Sequence, residues 1–373
     1  MENKISDFLQ SSIEAKDYPS AVYLVAEKGA VVFTDALGFA VVGPERIEAN
    51  SETIYDLASL TKPLVAGLLC AKLIKNGEMR LSDKLSHYFK EFDTNEKQAI
   101  TLENLLTHTS GFQTWKPFYL IANLKSEILS LIAAEPLENL PNEKAVYSDL
   151  NFLTLTILLE KLHGERIDKI AKREIFAPLN LQNTFYNPPR ELQKRIAASE
   201  KGNEYEKQMC IEKGFDVANY QWREQQIWGE VHDGNCYFMN GVSGHAGLFS
   251  TAFEAFKIAQ QFLANQTTLL KPETCELFRT NFTPNLNEAR SIAFQLAKTK
   301  DSTAGAALAK DSFGHLGFTG TSLWIEPETT RIYILLTNRT HARDLPFANI
   351  NSVRRKFHEL AAQELNRKNG GKP

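Results

Sequence analysis

The chain carries its strands at its two ends and its helices between them, and this layout limits the fold more than any other feature. "AVYLVAEKGAVVFTDALGFA" (21–40) is two β-rich runs around Glu27-Lys28-Gly29, the pattern of a hairpin. "TSLWIEPETTRIYILLTNR" (321–339) reads as a second hairpin turning at Pro327, and "RSIAFQLAK" (290–298) as a further strand. The middle changes period. From Thr61 to about Lys75, apolar residues recur at helical spacing, at Leu64, Leu68, Leu69, Ala71 and Leu73. "LNFLTLTILLEKLHG" (150–164) is a helix closed by Gly164, and Thr251 with Glu254 has the spacing of a capping box. "NSVRRKFHELAAQELNRKNGG" is an amphipathic helix near the C-terminus. Strand-rich termini around a helical middle are expected to share one antiparallel sheet. The expected class is therefore α/β in the α+β sense: a sheet from both termini flanked by helices, plus an all-helical lobe. One domain over 1–373 is expected, with an α/β lobe at about 1–58 and 285–373 and a helical lobe at about 59–284.

A chain of 373 residues and 42.0 kDa has ample core for such a domain. Its formal net charge of −3 gives no basic footprint, which argues against a nucleic-acid partner. Four cysteines (Cys70, Cys210, Cys236, Cys275) stand far apart without metal-ligand spacing, and Cys70 falls in an apolar helical run as a buried thiol would. No stretch approaches a membrane span. The N-terminus shows no basic segment followed by an apolar run. Export is expected if a leader has been removed, and a cytoplasmic location otherwise. Residues 198–235 are polar and irregular and are expected to form a long surface excursion.

Three short segments carry chemistry. In "YDLASLTKPL", Ser59 stands three residues before Lys62, so the two share a face one turn apart. At a helix start, Ser59 would meet outward-pointing N–H groups that favour an oxyanion. A lysine held in a cleft loses proton affinity and can help ionise the serine. A plain N-cap serine beside a surface lysine gives the same four letters. In "VYSDLNF", Tyr147 could shuttle protons with a pKa depressed by a nearby ammonium, while Asp149 also suits a helix cap. In "FGHLGFTGTSLWIEP", Gly317 on an edge strand would let another backbone approach. The Phe318 N–H could then join the Ser59 N–H in an oxyanion hole. His315 would add a polar or cationic group beside the substrate.

The order Ser-Lys, Tyr, His-x-Gly resembles the serine β-lactamase and penicillin-binding-protein superfamily. The closest branch is the one holding class C β-lactamases, D-alanyl-D-alanine carboxypeptidases and related esterases. "DLASLTKP", "LTLENLLTHTSGF", "YSDLNF", "GHAGLFST" and "LLTNR" are further segments similar to that family, from about residue 20 to 365. The resemblance implies an α/β lobe packed on a helical lobe and a catalytic set of Ser59, Lys62 and Tyr147. It also implies substrate contacts at Asp149, His315, Gly317 and Phe318, and no metal or organic cofactor. The substrate would be a small molecule or a peptidoglycan-derived fragment carrying an amide, β-lactam or ester. A non-catalytic binding module of the same fold is the rival from another class; it has no need of Ser59, Lys62 and Tyr147 together.

Two departures from the family pattern bear on substrate. Asp149 stands where asparagine is usual, and an ionised aspartate cannot donate to a substrate amide. It would instead pair with Lys62 and keep that lysine protonated, moving the base role toward Tyr147. Leu316 stands where threonine is usual, which removes a hydroxyl. The class A frame Ser148-Asp149-Leu150 fails at its third position. His108 is expected to order the turn before Gly111. His245 is divided between loop scaffold and substrate contact. A metal cluster of His232, Asp233 and His245 matches no zinc spacing.

Overall fold

The computed structural model describes residues 3–370. Eleven strands form in chain order: β1 (Ser20–Glu27), β2 (Ala30–Val41), β3 (Ile47–Glu48), β4 (Tyr55–Asp56), β5 (Phe185–Tyr186), β6 (Leu248–Ser250), β7 (Arg290–Ser291), β8 (Phe294–Leu296), β9 (Phe313–Leu316), β10 (Ser322–Glu326) and β11 (Arg331–Thr337). Eight of them make one sheet in the order β3-β2-β1-β11-β10-β9-β8-β7, and β4-β6-β5 make a second, small one. The large sheet is antiparallel throughout and draws only on strands before residue 49 and after residue 289.

Period-2 alternation decides which side chain meets which layer. Along β1, Val22, Leu24 and Ala26 point into the large core beneath the central helices, whereas Ala21, Tyr23 and Val25 point the other way. The second face is covered by the helices Lys4–Glu14 and Asn351–Lys368, through Ile5, Leu9, Phe357, Ala361 and Leu365. Both faces are therefore buried, and the strand burial is continuous rather than alternating. The β1–β2 hairpin turns at Lys28 and Gly29, with φ of 52° and 81°. Two successive positive φ values suit the right-handed twist of the flanking strands.

Several elements differ from the sequence pattern. The single strand expected over 290–298 is a tight hairpin, β7–β8, because Ala293 takes φ 60° and its N–H bonds to Leu106 O at 2.8 Å. The helix expected from Thr61 begins as a 3₁₀ turn (Ala58–Leu60), winds as a π-helix over Lys62–Gly67 and becomes α-helical only at Leu68–Asn76. Wide π turns gather at functional sites. The excursion at 198–235 is not a loose surface loop. It holds a helix at Glu204–Glu212 and the start of another at Gly234–Phe238, and buries Ser199, Glu200, Asn203, Glu206, Arg223 and His232. Polar composition hid this packing, since these residues are buried by pairing with one another. Arg223, for example, donates to Asn203 Oδ1 and to the carbonyls of Val231 and His232 at 2.6–2.7 Å. Cys70 is fully buried, and that burial pushes its thiol up to about 12. Among the described residues no helix is long and apolar enough to cross a membrane.

Candidate active site

Two chain segments are laced together beside a cleft of about 560 Å³. The first, 55–59, leaves the small sheet and is fixed by its own aspartate: Asp56 Oδ1 accepts from Ala58 N and Oδ2 from His232 N, both at 2.9 Å. The second is the turn between β9 and β10. Thr319 Oγ1 donates to Asp56 O at 2.7 Å and Thr321 Oγ1 to Leu57 O at 3.0 Å. Gly317 makes this approach feasible. A Cβ there would overlap Thr321 Oγ1 and come within 2.5 Å of Leu57 O. β8 pairs with β9 only at Phe313 and Gly314, so 315–318 is edge-like although β9 is not the sheet's edge strand. The N–H groups of Ser59 and Phe318 find no acceptor among the described residues. Arg339 Nε donates to Phe318 O at 2.7 Å, and Arg354 Nη2 to Gly317 O and Thr321 O at 2.6 and 2.9 Å, which fixes the turn from behind.

Ser59 follows Ala58, whose φ of 48° is a left-handed conformation that costs a non-glycine residue about 1 kcal/mol or more. The 3₁₀ turn Ala58–Leu60 runs straight into the π-helix at Lys62, so Ser59 and Lys62 stand one turn apart on the same side. Lys62 has no exposed surface and has three oxygen neighbours. Its Nζ donates to Ser59 Oγ at 3.0 Å and His245 O at 2.9 Å, and forms an ion pair with Asp149 Oδ1 at 2.7 Å. Burial alone would lower the Lys62 pKa. The Asp149 carboxylate outweighs it, with a smaller contribution from the Tyr147 oxygen, and holds the lysine above its ordinary value. A lysine in a cleft would by itself lose proton affinity, but the expected pairing with Asp149 outweighs this and keeps Lys62 an ammonium.

Asp149 is free for this pairing because Ser148 takes the capping role. Ser148 Oγ accepts from Leu150 N at 3.2 Å at the start of the Asp149–His163 helix. Tyr147 is half-buried and sits between Lys62 Nζ, 5.1 Å from its ring centroid, and the His108 ring, tilted against it with centroids 4.6 Å apart. Walls of protein around the cleft desolvate its phenol and raise its pKa, and the Lys62 ammonium and Ser59 hydroxyl recover only part of that shift. This corrects the expectation of a depressed value: desolvation outweighs the ammonium, and the charge of Asp149 adds to the rise. His108 does more than order a turn, since its Nδ1 accepts from Ser148 N at 3.1 Å and pairs with Asn151 Nδ2 at 3.2 Å.

His315 is buried and lines the cleft, and it is not a cation. Burial and the charges of Lys62 and Arg290 hold its pKa well below the ordinary histidine value. His245 proves to be scaffold. Its ring is held by Ser243 Oγ at 2.6 Å and Asp233 Oδ1 at 3.0 Å, while its carbonyl accepts from Lys62. All seven residues singled out in the sequence thus gather around one cleft: Ser59, Tyr147, Asp149, His315, Gly317 and Phe318 line it, with Lys62 behind Ser59.

A family profile described as Beta-lactamase matches residues 3–353. The chain belongs to the β-lactamase family. It is 28% identical over 369 residues to a protein of Escherichia coli (strain K12) provisionally named a D-alanyl-D-alanine carboxypeptidase, covering 91% of this chain and 82% of that one. Its fold matches EstCE1, described as a hydrolase with promiscuous acyltransferase activity, at TM-score 0.72 and 18% identity over 95% and 97% of the two chains. It matches a class C β-lactamase at TM-score 0.72 and 14% identity over 96% of each. This β-lactamase-family hydrolase therefore has a β-lactamase/transpeptidase-like fold.

Further residues line the cleft that the motifs did not flag. Arg290, Arg339 and Arg354 stand among them, with Asp56, Tyr205, Glu206, His232 and Asp233 as well. Burial lowers Arg354 to about 9, helped by the charge of Arg339. Burial and the charge of Asp233 push the Glu206 carboxyl up to about 7. Arg339 and Asp56 lay within segments already tied to the family, "LLTNR" and "DLASLTKP". Glu206 left no signal, and His232 and Asp233 were weighed only as a metal cluster with His245, because all three reach the cleft through the misread excursion.

Proposed function

We propose that this β-lactamase-family member is a serine hydrolase working through an acyl-enzyme on Ser59, and that it cleaves an amide in the manner of a D-alanyl-D-alanine carboxypeptidase. The observation that carries this is the fully buried Lys62 ammonium, held by Asp149 and donating to Ser59 Oγ at 3.0 Å in the shared cleft. Because Oγ accepts from Lys62, the Ser59 O–H is free to point at Tyr147. Attack on the carbonyl transfers that proton to the Tyr147 oxygen while the Tyr147 proton passes to the leaving group. Tyr147 ends as it began, so the step needs no phenolate at rest, in keeping with its raised pKa. Lys62 stabilises charge building on Oγ, and the Ser59 and Phe318 N–H groups receive the oxyanion. Water then repeats the transfer in reverse, through Tyr147 to Ser59 Oγ.

The arginines at the cleft favour a substrate bearing a carboxylate, which supports the carboxypeptidase reading, as does the name of the Escherichia coli relative. A small-ester hydrolase is the second reading. Leu316 brings an apolar side chain where a hydroxyl would contact substrate, and Asp149 has no donor for an amide carbonyl. Turnover of N-acetyl-D-alanyl-D-alanine and of a short-chain nitrophenyl ester separates the two. Release of D-alanine with kcat/KM above that for the ester supports the carboxypeptidase, and ester turnover alone supports the esterase.

A further inference from the structure

We propose that Glu200 is a positioning residue for the hydrolysis: from behind the cleft wall it fastens two aromatic rings that pack on Phe318, and so keeps the Phe318 N–H in register with that of Ser59. This deepens the hydrolase reading above and rests on it for the oxyanion that these N–H groups receive. Glu200 is 5% exposed and is not among the residues lining the cleft. Its carboxylate divides between two partners. Oε1 accepts from Tyr205 N at 2.8 Å, and Oε2 pairs with His232 Nε2 at 2.7 Å. Tyr205 stands in the first turn of the Glu204–Glu212 helix, where N–H groups lack an intrahelical acceptor and negative charge is favoured. Burial alone would lower the His232 pKa; the hydrogen bond and charge of Glu200 outweigh it and hold the histidine above its ordinary value. Charge strengthens both contacts. The main chain beneath Glu200 is fixed as well, since Ser199 N donates to Ile227 O and Ile227 N to Glu200 O, both at 2.9 Å.

Both partners lean on one side chain. The Tyr205 ring lies 4.8 Å from the Phe318 ring, tilted by 46°, and the His232 ring lies 5.4 Å from it at 25°. Aromatic pairs attract at these separations. The Gly317–Phe318 peptide makes use of that support. Arg354 Nη2 donates to Gly317 O at 2.6 Å, and in a trans peptide the N–H points the opposite way, so Arg354 sets the direction of the Phe318 N–H. Arg339 Nε holds Phe318 O at 2.7 Å. The ring contacts then limit how far residue 318 swings about these two anchors. His232 is tied to the serine side too. Its N–H donates to Asp56 Oδ2, and Asp56 Oδ1 accepts from the N–H of Ala58, the residue before Ser59. One buried ion pair thus bears on both segments that carry the oxyanion donors.

The test is steady-state kinetics with N-acetyl-D-alanyl-D-alanine or a short-chain nitrophenyl ester, whichever the wild type turns over faster. Acylation and deacylation both place an oxyanion between the same two N–H groups, so a displaced donor slows both steps. Glu200→Ala should therefore lower kcat by about tenfold to a hundredfold and leave KM within about twofold. Glu200→Gln keeps the side-chain length and a hydrogen-bond partner for Tyr205 and His232, and should stay within about threefold of the wild type. Glu200→Asp keeps the counter-charge but is one methylene too short to reach both partners. Its kcat should fall severalfold, and it serves if the alanine variant unfolds. In a Phe318→Ala background, which keeps the N–H and removes the ring, Glu200→Ala should cost less than about threefold. The proposal is overturned by an unchanged kcat in Glu200→Ala, by equal losses in the alanine and glutamine variants, by a KM that rises in step with the loss, or by an undiminished loss in the Phe318→Ala background. Ser59→Ala is the control. Turnover by that variant at the wild-type rate defeats the hydrolase reading itself, whereas an inactive Ser59→Ala beside unaffected Glu200 variants defeats only the positioning role.

Discussion

At the scale of single residues, the site is governed by which charge partners which. Lys62 is buried more completely than its role as an activator suggests, and one carboxylate keeps it an ammonium. Asp149→Asn removes that carboxylate and leaves burial to act against Lys62 with only Tyr147 opposing it. The alkaline limb of the kcat/KM profile, above the ordinary lysine range in the wild type, should move down in pH; an unmoved limb would show that Asp149 does not set Lys62. The variant should also lose about 3 kcal/mol of stability at neutral pH, read by urea unfolding, because a buried ammonium loses its counter-charge. The sign follows from linkage. Lys62 has a raised pKa in the folded state, so its contribution is present below the unfolded value and is lost only as pH rises through the folded one. The pairing of Asp149 with Lys62 was expected from the family resemblance, which sets Asp149 at the asparagine position of the second motif. The direction of the Tyr147 shift was not, because desolvation depends on walls contributed by distant segments.

Among elements, the cleft depends on how closely the 317–321 turn approaches the 55–59 segment. Gly317→Ala should push them apart, since its methyl would overlap Thr321 Oγ1 and crowd Leu57 O. Displacing an oxyanion donor by about 1 Å costs on the order of a hundredfold in rate, so kcat/KM should fall by that much, with only a modest drop in melting temperature. Unchanged kcat/KM would mean that the Phe318 N–H takes no part. The helix on the other face of the sheet makes a separate prediction. His358 bridges Thr303 O at 2.6 Å and Ser322 Oγ at 3.0 Å, and burial holds its pKa down to about 3. The unfolded chain then takes up this proton first, and stability falls as pH drops from about 6.5 toward the folded value. Over that window the wild type should lose about 1.4 kcal/mol more per pH unit than His358→Gln, by urea unfolding at pH 4 to 7. Parallel curves would contradict it. Hairpins and long helices were readable because period 2 and period 3.6 survive in the letters, as in 21–40 and 150–164. The π turn at Lys62–Gly67 and the tight β7–β8 hairpin were not, because each is imposed by contacts from elsewhere, such as Ala293 against Leu106 and Gly67.

For the whole molecule, the strand–helix–strand order of the sequence carried most of the architecture. Both ends supply one antiparallel sheet, and the residues between them supply the Ser59–Lys62 and Tyr147 segments. What escaped was the wall built from 199–238, whose polar residues are buried by pairing with one another rather than by apolar packing. That wall brings Glu206, His232 and Asp233 to the cleft, with the Asp233 carboxylate opposite in charge to the arginines, and composition alone could not separate it from a solvated loop. The proposed function makes Ser59 Oγ the atom that is acylated. The most direct measurement is intact-protein mass spectrometry, followed by peptide mapping, after brief incubation with a fluorescent penicillin and with a nitrophenyl ester. A covalent adduct on Ser59 from at least one reagent, abolished in Ser59→Ala, is the predicted result. No adduct from either reagent, or one that persists in Ser59→Ala, would contradict the account.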